Sequence, residues 1–164
     1  MIVVSDTTPL ISLLKIGRLD LLKKLFREII IPNAVFYELT ADRRFKLESE
    51  QIKCKDFIKV KSVKNSESVD IFKGETGLDR GESETIILAD KLKADLLLMD
   101  EAKGRNISIK MGHKIIGTIG ILLAAYEEKE LTAEEVKDCI DGLQRSGRHI
   151  GQQYYRMLLN KLKE

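Results

Sequence analysis

Two aspartates follow short apolar runs in this sequence, and their side chains could meet in one site. Asp6 comes after residues 2–4 and one serine, and Asp100 comes directly after residues 96–99. Runs of this kind are typical of buried strands, and open α/β sheets bind their ligands beyond the carboxyl ends of the strands. We therefore expect both carboxylates at one edge of a sheet.

Carboxylates that are brought together repel one another, and their pKa values rise unless a cation neutralises them. Mg²⁺ is the natural partner, because it takes oxygen ligands, keeps several waters and needs only one or two direct carboxylates. Such an ion lowers the pKa of a bound water and can orient that water towards a phosphodiester. The paired acids thus indicate metal-assisted hydrolysis.

The elements that must position these acids alternate between strand and helix. A third apolar run at residues 29–31 ends at a proline, and residues 57–63 and 114–116 are expected to add further strands. Segments with helical spacing separate the runs. This alternation predicts an α/β fold with a central, mainly parallel sheet that helices cover on its faces.

Helix signals place two of the candidate acids. Thr8 before Pro9 fits an N-cap that is followed by proline at the first helical position, so Asp6 is expected in the turn between strand and helix. A helix over residues 33–40 is expected to carry Glu38 near its end.

The remaining segments differ in how strongly they predict structure. The charged residues 41–55 fit a solvated helix or a mobile arm, and residues 64–77, rich in Lys, Ser, Glu and Gly, are expected to form a loop. The run that begins at Gly81 has helical spacing. Thr132 and Glu135 form a capping-box pair that opens a further helix, and a last helix follows it.

Composition narrows the class of protein. Hydrophobic residues make up 43% of the 164-residue chain and charged residues 33%, which is normal globular usage and predicts one domain over residues 1–164. The 28 Lys and Arg against 26 Asp and Glu leave a net charge of +2, so bulk charge gives no argument for nucleic acid. Cys54 and Cys139 are too isolated for a disulfide framework. No signal peptide or spanning apolar run is recognisable, and we expect a cytoplasmic protein with no membrane partner.

Four stretches of the sequence carry a family resemblance when they are taken together. They are VVSDTTPLISL, IIIPNAVFYEL, GESETIILAD and LLLMDE, in this order and at suitable distances over residues 2 to about 123. The chain resembles the PIN-domain family, specifically the branch close to VapC-like toxins. The resemblance implies a PIN-like three-layer α/β/α domain on which extra helices, from about residue 132 to 163, pack. It also implies an Mg²⁺- or Mn²⁺-dependent endoribonuclease with RNA as substrate, a homodimer and, for a toxin, an antitoxin protein as partner.

The resemblance assigns four acids as catalytic residues and metal ligands, namely Asp6, Glu38, Glu82 and Asp100. Many relatives carry Asp at the third position, where this chain offers Glu82 or, in reserve, Glu84. The interval to Asp100 favours Glu82, since it leaves the apolar residues of that helix on the buried face as in the family pattern.

Further residues are implied in supporting roles. Thr7 and Thr8 match the hydroxyl that often accompanies the first acid, where it could orient a carboxylate or a metal-bound water. Glu101 is a candidate outer ligand. Lys103 and Arg105 could contact the phosphates of a nucleic acid without reading its sequence.

Each acid also has a purely structural alternative. Asp6 could begin the next helix, Glu38 could face solvent, Glu82 could form a capping box with Asp79, and Asp100 could cap a helix. The alternative function is therefore a PIN-like module that is weak or inactive in catalysis and binds nucleic acid or protein. A phosphorylated Asp6 is a third interpretation, but this chain has no second acid at the next two positions, where such sites place one.

Overall fold

The computed structural model describes residues 1–41 and 43–163, with the exception of the Phe45 side chain. Its strands lie in the five runs where the sequence predicts strands, and they are β1 (Val3–Ser5), β2 (Ile29–Pro32), β3 (Ile58–Lys61), β4 (Leu96–Leu98) and β5 (Ile115–Ile116). They form one sheet in the order β3-β2-β1-β4-β5. Every neighbouring pair in this sheet is parallel.

Ten α-helices flank the sheet within the described ranges. They are α1 (Thr7–Lys15), α2 (Asp20–Phe26), α3 (Asn33–Ala41), α4 (Lys46–Lys53), α5 (Ser66–Thr76), α6 (Arg80–Leu92), α7 (Ala102–Lys110), α8 (Thr118–Glu127), α9 (Ala133–Arg145) and α10 (Gln152–Lys161). None of these helices is long and apolar enough to cross a membrane.

Successive strand residues face opposite sides of the sheet, and helices cover both sides. Val3 lies in the larger of two apolar clusters and Val4 in the smaller one, and in β2 Ile29 and Ile30 divide in the same way. Side chains from α1, α2, α3, α4, α8, α9 and α10 contribute to the larger cluster, and side chains from α6 contribute to the smaller one. The predicted three-layer α/β fold with a parallel sheet is confirmed.

The register brings the ends of β1 and β4 together. Ser5 pairs with Leu98, and the backbone N–H of Asp6 donates to the carbonyl of Leu98 over 2.9 Å. Asp100 follows two residues after β4. Both aspartates therefore stand at the same edge of the sheet, as the sequence predicts.

The C-terminal helices α9 and α10 pack onto the larger apolar cluster. Val136 and Ile140 from α9 and Leu158 from α10 are among its buried members. The predicted capping box of Thr132 and Glu135 is present at the start of α9, with both of its hydrogen bonds formed.

Residues 64–77, predicted as a loop, instead contain the helix α5. The Asn65 side chain accepts a hydrogen bond from the Ser68 backbone N–H over 3.1 Å, and Gly77 ends the helix with a left-handed φ of 73°. Val69 is buried. Caps at both ends and a buried apolar residue outweigh the polar composition on which the loop prediction was based.

The first helix also begins earlier than predicted. Asp6, rather than Thr8, holds the N-cap position of α1, with an extended backbone at φ −79° and ψ 174°. The prediction of a Thr8 cap was wrong because the chain becomes helical directly after β1 and Asp6. Pro9 still lies in the first turn, where its missing N–H leaves no helical hydrogen bond unmade.

The charged stretch at residues 41–55 is helical where it is described. A short 3-10 turn at Arg43–Phe45 leads into α4, which buries Ser49 and Ile52. Residue 42 of this stretch lies outside the described residues. Of the two predicted alternatives, the solvated helix therefore describes α4 better than the arm.

Replacing Asn65 by alanine should lower the free energy of unfolding by about 1 kcal/mol, because the Ser68 N–H loses its acceptor at the start of α5. Asn65→Asp retains an acceptor and should stay close to the wild type. Urea denaturation measures both effects. Unchanged stability in Asn65→Ala would contradict the cap as described.

Candidate active site

Asp6 is buried at the end of β1, with 4% of its surface exposed. It occupies the N-cap position of α1, but its side chain makes no capping hydrogen bond there. The hydrogen bond from its backbone N–H to Leu98 fixes the residue against β4. The structure thus holds Asp6 in place through its backbone, and its carboxylate does not serve the helix.

The surroundings of Asp6 disfavour its charged form. Burial raises the pKa of Asp6 from 3.8 to about 7. The backbone N–H of Thr7 acts against this rise, whereas the charges of Glu82, Glu38 and Asp79 add to it. A cation beside the carboxylate would lower its pKa, and no cation is among these groups. The site therefore has the electrostatics of a cation-binding site.

Glu38 reaches the same region from α3. The Thr7 hydroxyl donates to its Oε2 over 2.7 Å, and its Oε1 lies so close to Gly81 that a Cβ on this glycine would overlap it. Burial raises the pKa of Glu38, the Thr7 hydrogen bond opposes the rise, and the charges of Asp79 and Glu84 add to it. Although Glu38 is exposed as a residue, its carboxylate is held between α1 and α6.

Glu82 and Asp79 form the capping box that the structural alternative predicts. The Asp79 backbone N–H donates to Glu82 Oε2 over 3.0 Å, and the Glu82 backbone N–H donates to Asp79 Oδ1 over 2.8 Å. Burial raises the pKa of Glu82, the Asp79 N–H opposes the rise, and the charges of Asp79, Glu101 and Glu38 add to it. Glu82 therefore stabilises its helix with one oxygen while it lies in the field of the other acids.

We call Asp6, Glu38, Asp79 and Glu82 the acidic cluster, because the charges of the last three all raise the pKa of Asp6. The sequence analysis missed Asp79 as a member, since it considered this residue only as a cap. A second carboxylate three residues before a predicted site acid is the signal that could have revealed it.

Glu84 has a different environment from Glu82. It is buried, its Oε1 accepts from the Ala34 backbone N–H over 3.2 Å, and its Oε2 accepts from Arg80 Nε over 3.1 Å. It is not among the charges that shift the pKa of Asp6. The geometry thus brings Glu82 rather than Glu84 to Asp6, and Glu84 ties the start of α3 to α6.

Asp100 lies at the predicted edge, but both of its oxygens have partners. The Thr118 N–H donates to Oδ1 over 2.7 Å, the Thr118 hydroxyl donates to Oδ2 over 2.6 Å, and Arg148 Nη2 lies 2.9 Å from Oδ1. Burial alone would raise the pKa of Asp100, yet hydrogen bonds from Arg148 and Thr118 hold it below its usual range. Asp100 is also not among the acids that shift Asp6.

The predicted supporting residues Thr7, Thr8 and Glu101 have different environments in the structure. Thr7 contacts Glu38, as described above, whereas Thr8 is exposed in the first turn of α1. Glu101, and not Asp100, caps α7, since its Oε2 accepts from the Gly104 N–H over 2.8 Å. It is still close enough to raise the pKa of Glu82.

The two predicted phosphate contacts lie near the acids. Lys103 places its ammonium group against Gly77, two residues before Asp79. Arg105 donates from Nη1 to the carbonyl of Met99 over 2.8 Å, directly before Asp100. Both cations therefore border the sheet edge that carries the acids.

The described part of the chain contains no three carboxylate, imidazole or thiol groups placed to hold a metal ion directly. The capping box and the Thr7 hydroxyl each hold one carboxylate of the acidic cluster in its present position. Carboxylate oxygens suit hard cations that keep part of their water shell. In donor chemistry the acidic cluster suits Mg²⁺ or Mn²⁺, which would be bound partly through waters.

The chain was compared with protein-family models and with curated proteins. A family model described as PIN domain matches residues 2–164. None of the curated proteins in the comparison matches the chain.

Asp6→Asn should stabilise the metal-free protein above neutral pH by up to about 4 kcal/mol. The folded carboxyl binds its proton more tightly than the unfolded one, so wild-type stability should fall as the pH rises from about 4 to about 7 and then level off. An asparagine carries no charge and should remove this fall. Thermal unfolding with a chelator across this pH range measures the difference.

Asp138→Asn is the matched control, because Asp138 is exposed on α9. It should follow the wild type at every pH. If Asp6→Asn showed the same pH dependence as the wild type, the raised pKa of Asp6 would be wrong.

Proposed function

The chain belongs to the PIN-domain family, and on that premise we propose that it is a metal-dependent endoribonuclease that hydrolyses the phosphodiester bonds of RNA. PIN domains have a nuclease-type fold and typically use divalent metals. The observation that carries the proposal is the buried carboxylate of Asp6, whose pKa of about 7 reflects burial and the neighbouring acids. Perturbed carboxyl groups of this kind concentrate at functional sites.

Asp6, Glu38, Glu82 and Asp79 would hold the Mg²⁺ or Mn²⁺ ion together, partly through the waters that the ion keeps. When bound, the ion would supply a water of lowered pKa and neutralise charge on the phosphate. The Thr7 hydroxyl orients the Glu38 carboxylate, which prepares its position before substrate arrives. Because the Asp6 carboxyl is partly protonated near neutral pH, metal affinity should rise with pH up to about 7.

Asp100 takes an outer place in this proposal. Its oxygens already accept from Thr118 and Arg148, so it contributes through those partners or through water rather than as a free ligand. In that place it holds the start of α8 and the segment after α9 at the border of the site.

The resemblance to VapC-like toxins supports a finer proposal. The protein would be the toxin of a toxin-antitoxin pair, would act on RNA in the cytoplasm and would form a homodimer. Met157 on α10 is exposed, with 59% of its surface accessible, and it offers apolar contact area for a protein partner.

The second candidate is a PIN-like binding module that is weak or inactive in catalysis. Two contacts favour it, since Glu82 is engaged in the capping box and Asp100 is paired with Arg148. Such a module would bind RNA or a protein without affinity for Mn²⁺ that depends on Asp6. Calorimetric titration with Mn²⁺ separates the two candidates.

The purified protein should cut single-stranded RNA in Mn²⁺ or Mg²⁺ and lose this activity in a chelator. Asp6→Asn should reduce the rate by at least about 100-fold. Loss of a residue that only supports a metal ligand already costs up to about 100-fold, and Asp6 is proposed to act on the ion itself. Asp138→Asn is the control for preparation and folding. Equal rates for Asp6→Asn and the wild type would contradict the proposal.

Glu82→Gln and Glu84→Gln form a second, matched pair of variants. Glutamine can still accept in a capping box, so Glu82→Gln should keep the wild-type stability while it weakens Mn²⁺ binding by about 10-fold or more. Glu84→Gln should instead lower the free energy of unfolding, because the buried carboxylate that pairs with Arg80 is lost. Its Mn²⁺ affinity should stay near the wild type.

Calorimetry and thermal unfolding on the same samples measure the two effects. The opposite pattern, with metal affinity lost in Glu84→Gln and kept in Glu82→Gln, would make Glu84 the third acid.

A further inference from the structure

A cleft of about 380 Å³ opens beside Asp100 and borders the candidate active site. Its volume falls within the range of pockets that bind small ligands. We call it the Arg105 cleft, and its lining includes Asp100, Arg105, Ile116, Ile119, Arg148 and Tyr154. Arg105 is one of the two phosphate contacts that the sequence predicts, and the proposed hydrolysis does not use the apolar and aromatic part of the lining.

The charged groups of the Arg105 cleft leave one guanidinium without an acidic partner. Arg148 is paired with Asp100. Arg105 makes one hydrogen bond, from Nη1 to the carbonyl of Met99, and no carboxylate in residues 1–41 or 43–163 lies in an ion pair with it. A guanidinium carries five N–H donors, so Arg105 has donors left for an anion. Its planar geometry suits a phosphate.

The rest of the lining is apolar and aromatic. Ile116 and Ile119 form part of the wall, and Tyr154 contributes a ring that is 48% exposed. Gly117 keeps the space open, since a Cβ on it would lie 3.1 Å from Arg105 Nη1 and would also crowd Asp100. An exposed aromatic ring and an arginine in one cleft are the groups on which unpaired bases stack in single-strand binding proteins.

We propose that the Arg105 cleft binds one unpaired nucleotide of the RNA strand next to the scissile phosphodiester. Arg105 contacts its phosphate, and the Tyr154 ring stacks on its base. Asp100 lines the cleft and follows β4 at the sheet edge that also carries Asp6, so a nucleotide in the cleft would lie beside the edge of the acidic cluster. The proposal rests on RNA as the substrate in the proposed function, and it explains why a single strand would be preferred, because a paired base is not free to stack.

Binding of a fluorescent single-stranded oligoribonucleotide, measured by anisotropy in a chelator, tests the cleft without any cleavage. Arg105→Gln should weaken binding about 10-fold, as expected for loss of a charge-assisted contact. It should also reduce the steepness of the salt dependence by about 0.7, the value for one phosphate contact on a single strand. Arg156→Gln is the matched control, since Arg156 is exposed on α10 and does not line the cleft.

Tyr154 provides the second arm of the test. Tyr154→Ser should weaken binding of the single strand at least about fivefold, whereas Tyr154→Phe keeps the ring and should bind like the wild type. With an RNA duplex of the same sequence, Tyr154→Ser and the wild type should bind equally. Circular dichroism and thermal unfolding of each variant verify that the fold is retained.

The cleft proposal is overturned if Arg105→Gln behaves like Arg156→Gln, or if Tyr154→Ser binds the single strand as well as the wild type. The catalytic proposal fails separately. Absence of cleavage in Mn²⁺ together with weakened binding in Arg105→Gln would leave a nucleotide-binding cleft on an inactive module. Cleavage with no dependence of binding on Arg105 or Tyr154 would leave a nuclease without this cleft.

Discussion

The burial of one carboxylate at the end of β1 is the constraint on which the account of this protein depends. The side chain of Asp6 is 4% exposed, and its surroundings raise its pKa to about 7. A charged group in such a place destabilises the fold unless an opposite charge compensates it. The parallel register of β1 and β4 forces this position, because it fixes the Asp6 backbone to Leu98. The fold therefore disfavours the charged form of this carboxylate at the sheet edge, and a divalent cation bound there would stabilise that form.

Two other acids, Glu84 and Asp100, differ from Asp6 because each of them is paired with an arginine. Glu84 has Arg80 and the Ala34 N–H as partners, and Asp100 has Arg148 and Thr118. Those acids hold elements together, since Glu84 joins α3 to α6, and Asp100 joins the end of β4 to α8 and to the segment after α9. Residues with satisfied partners frame the site, whereas the acids with raised pKa values lie inside it. This contrast is the physical reason to assign different roles to carboxylates that look alike in the sequence.

Much of this arrangement could be predicted from the sequence because its signals are local. Three short apolar runs and two further segments that were expected to add strands match the five strands, and the pattern at Thr132 and Glu135 matches a helix start. The edge that brings Asp6 and Asp100 together follows from the parallel sheet alone. The helix at residues 66–76 was missed, because its caps and one buried valine outweigh a polar composition.

The details of the site depend on tertiary contacts, which no local pattern contains. Arg148 lies 48 residues after Asp100, so its ion pair with Asp100 could not be anticipated. The contribution of Asp79 to the acidic cluster could not be recognised from the sequence, because the same residue at the same position is fully explained as the N-cap of α6. The choice between Glu82 and Glu84 also needed the structure, since both lie on the same turn of α6 and only their neighbours distinguish them.

The most direct test of the central claim is an NMR titration of the Asp6 carboxyl carbon, assigned by comparison with Asp6→Asn. In the metal-free protein the account predicts a midpoint near the pKa of about 7. With saturating Mg²⁺ it predicts that the midpoint moves well below that value, because the bound cation favours the charged carboxylate. A midpoint near 3.8, the ordinary value for this group, that does not respond to Mg²⁺ would contradict a metal site built around Asp6.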